Sequence, residues 1–367
     1  SSCLFGLSAR SSAARPPRQS KMECEFQITV CVLNGELLEV DVGPETSVLM
    51  LKHAIADKIS VPIVFQRLVS TIEELQDDET IVPQRYQLII SLAKVQEKLE
   101  RGTCTERLEA LSDLGKLGVR GGDAAVTAVS GRLEDADSVV RQHAVEALSK
   151  VAQKGDEHAI TAVHGHIDDA SWWVRRAAID ALVQLVEKGD QLASAAVRGR
   201  LEDEDSFVRQ TAVKALAKMA KKGDQHAIVA VCGRLEDTAL GARRAAVEAL
   251  AKVAEMGDEH AVVALSGRLE DTDANVKRVA VDALAKVLEK GDQRAIAAVS
   301  GCLVNADRGI RRAAVEALAQ AAEKGDKHVI DAVSCRLEDA VWDVRRVAIK
   351  ALALVAEKGD HYAIAAV

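Results

Sequence analysis

From about residue 104 onward, apolar side chains recur at helical spacing. Val174, Ala178, Ala181, Leu182 and Leu185 fall at i, i+4, i+7, i+8 and i+11, one face of a helix. That face then returns at a fixed step of 34 residues. Ala144, Ala178, Ala212, Ala246, Ala280, Ala314 and Ala348 form one apolar column, and Leu148, Leu182, Leu216, Leu250, Leu284, Leu318 and Leu352 form another. Ala128, Ala162, Ala196, Ala230, Ala264, Ala298, Ala332 and Ala366 make a third that also reads as core. An Ala column implies two helix backbones in close approach. A constant period of this size marks a solenoid of stacked units.

The punctuation follows the same step. Gly-Asp pairs stand at Gly155-Asp156, Gly189-Asp190, Gly223-Asp224, Gly257-Asp258, Gly291-Asp292, Gly325-Asp326 and Gly359-Asp360. Gly can take the left-handed conformation that ends one helix, and Asp can cap the next. The pattern therefore predicts a helical hairpin per unit: helix A from the Asp to about Ile167, helix B from about Ser171 to Lys188. Gly131, Gly165, Gly199, Gly233, Gly267 and Gly301 fall late in helix A, where Gly costs about 1 kcal/mol relative to Ala. Close packing or an early helix end would account for them.

Two polar columns accompany the apolar ones. Asp135, Asp169, Asp203, Asp237, Asp271, Asn305 and Asp339 occupy the A-to-B turn. Six residues on come Arg141, Arg175, Arg209, Arg243, Lys277, Arg311 and Arg345. Stacking would line the columns up, so a ladder of Asp–Arg contacts between neighbouring units is expected. The plainer alternative is a row of solvated charges.

The pattern L-x-D-x-x-x-x-V-R-x-x-A-x-x-A-L, as in Leu201 to Leu216, resembles the HEAT-repeat family, in particular its short, phycobilisome-lyase-like branch. Tetratricopeptide repeats share the period, but their Trp, Leu-Gly, Tyr and closing Pro positions are missing, and no Pro follows Pro83. The resemblance covers roughly residues 104–367. It implies an all-α solenoid that binds a protein along an extended concave face of B helices, with polar side chains such as Glu146, Lys150, Arg176, Asp180 and Lys218 available to it.

Before the solenoid the period changes to two. Phe26-Gln-Ile-Thr-Val-Cys-Val alternates, Leu33-Asn34-Gly35 turns, and Leu37-Leu-Glu-Val-Asp-Val returns, a hairpin signal. Pro44-Glu-Thr-Ser then caps a helix from Val48 to Ile59. Phe65 to Val69 and Tyr86 to Ile90 read as two more strands. This β-β-α-β-β order, with Glu-Leu-Gln-Asp-Asp-Glu-Thr at residues 74–80, resembles ubiquitin, and Val69 stands where ubiquitin carries the centre of its hydrophobic patch. The expected fold class is thus multidomain: a small β-grasp (ubiquitin-like) α+β domain followed by an all-α HEAT-type α-solenoid. The boundaries are a disordered leader at 1–21, the β-grasp domain at 22–91, and the solenoid at 92–367 with a degenerate first hairpin, seven full repeats and a truncated last helix. Both chain ends read as truncated. Val119-Arg120-Gly121-Gly122 reads as an ordinary loop between units rather than a conjugating tail.

Composition narrows the rest. With 48% hydrophobic but only 2% aromatic residues, this is a helical chain built from Ala, Val and Leu. A net charge of −8 argues against a general nucleic-acid surface. The leader carries Arg10, Arg15, Arg18 and Lys21 and no acid, so a transit peptide is one reading of it. Seven Cys without C-x-x-C spacing favour a reduced, cytoplasmic setting over a disulfide framework, and no apolar run suits a membrane span. His158, His226, His260, His328 and His361 recur one per unit near the start of helix A, too far apart to share a metal. One iron enzyme of this repeat class uses His-Glu dipeptides as ligands; this chain has Glu-His twice and His-Glu nowhere. Neither cofactor nor catalytic residue is expected. Trp172 and Trp342 share a column at the start of helix B, as packing residues or as exposed anchors for a partner.

The expected function is a non-enzymatic protein-interaction scaffold, with protein rather than nucleic acid or membrane as its partner. A chromophore lyase or oxidoreductase-type HEAT enzyme, and a ubiquitin-pathway adaptor acting through the N-terminal module, are the alternatives.

Overall fold

The computed structural model describes residues 26–32, 37–43, 45–70, 73–82 and 84–357. The leader, most of the β1–β2 turn, Thr71, His361 and Ala366 lie outside them. The chain divides into two compact units between Lys94 and Val95.

In the first unit, β1 (Phe26–Cys31) pairs antiparallel with β2 (Leu37–Val42), and β3 (Gln66–Val69) pairs antiparallel with β4 (Arg85–Ile90). A parallel pairing of β1 with β4 joins them into a mixed sheet of order β2-β1-β4-β3. Alternation puts Ile28, Val30, Val40, Val42, Leu68 and Leu88 on one face. Helix α1 (Val48–Ile59) covers that face with Val48, Leu51 and Ile55. Ser47 caps α1, its side chain accepting from the Met50 amide. Val69 is half-buried at the end of β3, opposite Gln87.

The second unit is a stack of helical hairpins. The A helices are α2 (Ala93–Arg101), α4 (Gly122–Ser130), α6 (Glu157–His164), α8 (Gln191–Gly199), α10 (Gln225–Cys232), α12 (Glu259–Gly267), α14 (Gln293–Gly301) and α16 (Lys327–Ser334). The B helices are α3 (Cys104–Leu117), α5 (Ser138–Val151), α7 (Trp172–Leu185), α9 (Ser206–Met219), α11 (Leu240–Val253), α13 (Ala274–Val287), α15 (Arg308–Ala321) and α17 (Trp342–Val355). Each B helix packs on the next.

Both helices are shorter than the pattern predicts. Helix A stops at or next to its Gly, after which the chain makes one tight turn. A Cβ built on Gly199, Gly267 or Gly301 would meet nothing, so the Gly marks the early helix end and not close packing. Helix B ends where the chain turns extended, at Val186 in α7, three residues before the Gly-Asp pair. That Gly has a positive φ, 79–89° from Gly155 to Gly325, which a residue with a Cβ resists. The following Asp caps helix A, as Asp156 does by accepting from the Ala159 amide at 3.0 Å.

The Ala144 and Leu148 columns are buried throughout. The Ala128 column is not core: its described members are half-buried. Its place is taken by the stripe beside it, such as Ala159 with Val163 and Ala227 with Val231, each pair one turn apart. A short helix A has only one narrow buried stripe, and a third alanine falls at its edge.

Candidate functional site

The two edges of the stack are tied in different ways. At the B-to-A turns, the Gly amide donates to the last carbonyl of the next unit's helix B. Gly155 reaches Leu185, Gly189 Met219, Gly223 Val253, Gly257 Val287, Gly291 Ala321 and Gly325 Val355, at 2.7–2.8 Å.

At the A-to-B turns, the arginines reach forward 28 residues. Arg141 bonds Asp169, Arg175 Asp203, Arg209 Asp237, Arg243 Asp271 and Arg311 Asp339, each through two nitrogens at 2.7–3.2 Å. Arg107 joins Asp135 through one nitrogen at 2.6 Å. The remaining guanidinium nitrogen donates to the carbonyl of the arginine's own turn, as Arg209 does to Asp203 at 2.8 Å. Arg345 keeps that contact, with Asp339 at 2.6 Å. Each carboxylate also accepts from the amide two residues on, such as Asp205 N–H to Asp203 at 2.9 Å. Burial pushes these carboxyls up, but the arginine and the amide together hold Asp169, Asp203 and Asp237 below the usual range. At Asp339 the Arg311 hydrogen bond is the largest influence, and the carboxyl lies at about 2.

A second set of arginines, three residues before the Asp column, reaches back instead. Arg132, Arg234, Arg268 and Arg336 donate to Leu99, Leu201, Leu235 and Leu303 of the preceding unit, each at 3.1 Å. His166 and Cys302 occupy that place in two other units. One interface therefore lacks both ties: Lys277 stands where an arginine would, Asn305 faces it in place of Asp, and Cys302 replaces the backward arginine. Lys277 and Asn305 make no ion pair there.

The outward side of the B helices carries the surface chemistry. Arg176, Arg244, Arg278, Arg312 and Arg346 form one exposed column. Lys150, Lys218, Lys252 and Lys286 form a second, two turns further along each helix. Between them runs a mixed column of Glu146, Asp180, Lys214, Glu248, Asp282, Glu316 and Lys350. Bases outnumber acids on this side, in a chain whose net charge is −8. Arg244 pairs with Glu248, Arg278 with Asp282 and Arg312 with Glu316, all within one helix. Across α5, α7 and α9 the surface forms a groove of about 480 Å³, bordered by Glu146, Trp173, Arg176, Asp180 and Lys218. Crowding there pushes the Asp180 carboxyl up, with Arg176 and Lys218 pulling the other way. The same crowding raises Asp282.

Trp172 is half-buried, stacked on Trp173 at 3.5 Å between centroids and on Phe207 at 5.8 Å. Trp173 is 48% exposed and Phe207 56%. Trp342 is 62% exposed, with the Arg346 guanidinium over its ring at 5.0 Å. The Trp172–Trp342 column is the one expected from the sequence; the adjacent Trp173–Phe207 column is not among those expectations. The step of 34 residues from Trp173 to Phe207 was the available signal. His158, His226, His260 and His328 are exposed. Among the described residues, no three His, Cys, Asp or Glu side chains converge as a metal site would require. No helix among them is long and apolar enough to cross a membrane.

Comparison with known proteins agrees with this architecture. No curated protein sequence matches the chain. Among solved structures, the Escherichia coli protein YibA matches with a TM-score of 0.53 at 17% identity, over 72% of this chain and 92% of that one. An engineered protein aligns at 23% identity over 71% and 77%, with a TM-score of 0.47. Human deoxyhypusine hydroxylase aligns at 19% identity over 72% and 95%, with a TM-score of 0.31. At these identities and scores the YibA likeness speaks for the fold alone, and the other two carry no argument. The model for HEAT repeats matches residues 92–183, 163–251, 234–319 and 262–353 in overlapping windows, and the chain belongs to the HEAT-repeat family.

Proposed function

We propose that this chain is a non-enzymatic scaffold that holds a protein partner along the outward face of its B helices. The observation that carries the reading is the alignment of exposed side chains: the Arg176 and Lys150 columns recur along the B helices, with the mixed column through Asp180 and Lys214 between them, so that charged side chains return at the step of the repeat. An extended partner can meet such a surface unit by unit, and a solenoid supplies that length. Affinity capture with the full chain tests it. Arg244→Glu with Arg312→Glu should strip the captured proteins, whereas Val229→Asp with Val263→Asp, on exposed positions of α10 and α12, should leave them bound. The opposite pattern would move the binding surface to the A helices and end this reading.

A second reading rests on the first unit. Its mixed four-stranded sheet under α1 is the arrangement on which a ubiquitin-pathway adaptor would depend, with Val69 at the end of β3 as its contact. Val69→Ala should then weaken capture of receptors that read ubiquitin-like surfaces without changing B-face partners.

A further inference from the structure

The groove across α5, α7 and α9 differs from the rest of the B-helix face in two respects. Further along, the column arginines are already matched: Arg244, Arg278 and Arg312 each face a carboxylate one turn on in their own helix. Arg176 and Lys218 line the groove and Lys214 lies close enough to act on Asp180, one turn beyond Arg176; among the described residues none of the three bases takes part in an ion pair. The three bases lie around Asp180, with Glu146 as the groove's second carboxylate and Lys150 as a further lining base, so positive charge is left in excess for a ligand. The groove is also bordered by an exposed aromatic ring. Trp173 borders it, and the stack through Trp172 to Phe207 fixes the rings across two units. Rings immobilised in the free protein lose little further entropy on binding, and such aromatics are typical anchors of protein interfaces.

We infer that this groove binds an acidic, extended protein segment that carries an apolar or aromatic side chain among its carboxylates. The inference rests on the scaffold reading and names the chemistry of its partner. The segment's carboxylates meet Arg176, Lys214 and Lys218, and its apolar side chain covers Trp173. Its main chain meets the amides and carboxylates that also line the groove: Gln142, which donates to Glu146 at 2.9 Å, and Gln184, which donates to the Asp180 carbonyl at 3.3 Å. Glu146 and Asp180 are acceptors suited to peptide N–H groups. They also set a peptide apart from a nucleic acid, since a continuous phosphate chain through the groove would run against both carboxylates.

A library of random sixteen-residue peptides displayed on phage, panned against the full chain, tests this without prior choice of ligand. The expected enrichment is for peptides rich in Asp and Glu with a Leu, Phe, Tyr or Trp among them. Synthetic versions should bind the full chain saturably and lose at least tenfold in affinity against Arg176→Glu/Lys214→Glu/Lys218→Glu. They should lose comparably against Trp173→Ala, and as salt rises the loss should shrink for the charge-reversal variant only. All four positions are exposed, and a circular-dichroism melt at the wild-type temperature shows that each variant is folded. Basic or uncharged peptides that depend on Trp173 would overturn the inference while leaving the scaffold reading in place. Enriched peptides indifferent to all these substitutions would overturn it too. So would a single-stranded oligonucleotide that binds as tightly as the best peptide and is lost on the same charge reversal.

Discussion

The interface between α13 and α15 offers a direct test of what the arginine ladder does. At five other interfaces an arginine and an aspartate of the next unit share two hydrogen bonds, and Arg107 and Asp135 share one; Lys277 and Asn305, at the corresponding positions here, share none. The Lys277→Arg/Asn305→Asp double substitution rebuilds the pair on an otherwise intact packing, since the Ala280 and Ala314 columns on both sides are fully buried. In the existing pairs the Asp side chain is 2–7% exposed and the Arg side chain 6–17%. Hydrogen bonds to charged groups contribute about 1.5–3 kcal/mol, and the cost of desolvating the two ions offsets part of that. A coupling of about 1–2 kcal/mol is therefore expected in a double-mutant cycle. Asn305→Asp alone places a carboxylate against a single lysine and should be neutral or mildly destabilising. Because solenoid stability is a sum of local terms, the readout is amide hydrogen exchange at the start of α15 and in α13. There a coupling of about 1.4 kcal/mol slows exchange tenfold. A coupling within about 0.3 kcal/mol of zero, inside ordinary additivity error, would show that the ladder is an accompaniment of stacking and not one of its causes.

Other consequences follow from the same geometry. Ala246→Leu overfills a fully buried position and should cost about 1–3 kcal/mol, with loosened hydrogen exchange in α9 and α13 as well as α11; an unchanged melt would contradict the close approach of these helices. Gly223→Ala, at a φ of 81°, should cost about 1–2 kcal/mol for the left-handed backbone, with exchange at the Gly223 amide reporting the lost contact to Val253. Asp339 titrates at about 2 when folded and near 3.9 when unfolded. Its contribution is therefore present above about pH 4 and lost as pH falls toward 2. The stability gap between wild type and Asp339→Asn should close across that window in urea titrations, and a gap that stays constant would remove the carboxylate from the account.

What the sequence made legible is what repeats. The 34-residue step, the capping Asp, the left-handed Gly and the Ala144 and Leu148 columns each recur often enough to read directly, as do the strands and helix of the first unit. The direction of the ladder was not legible for a geometric reason. In a period of 34, a spacing of six within a unit is equivalent to 28 to the next, so the columns alone cannot say which aspartate an arginine bonds. The structure divides the guanidinium, one nitrogen for its own turn and two for the next unit. The Ala128 column misled because identity along a column reports constancy of environment, and the edge of a short helix is as constant as its core. The groove was illegible because it depends on which charges are already matched, and pairing within a helix shows only once side chains are placed. Trp173 and Phe207 sat in a column that decays to Gly, Asn and Asp in later units, so the period did not call attention to them.

The central claim is that the B-helix face is where a partner lies. Hydroxyl-radical footprinting of the full chain, alone and in complex with a protein captured by it, tests that claim residue by residue. The account predicts protection of Trp173, Phe207, Leu240 and Trp342, all exposed on B helices, with Leu192, Val229 and Val263 on the A helices unchanged. Protection confined to Leu192, Val229 and Val263 would contradict it.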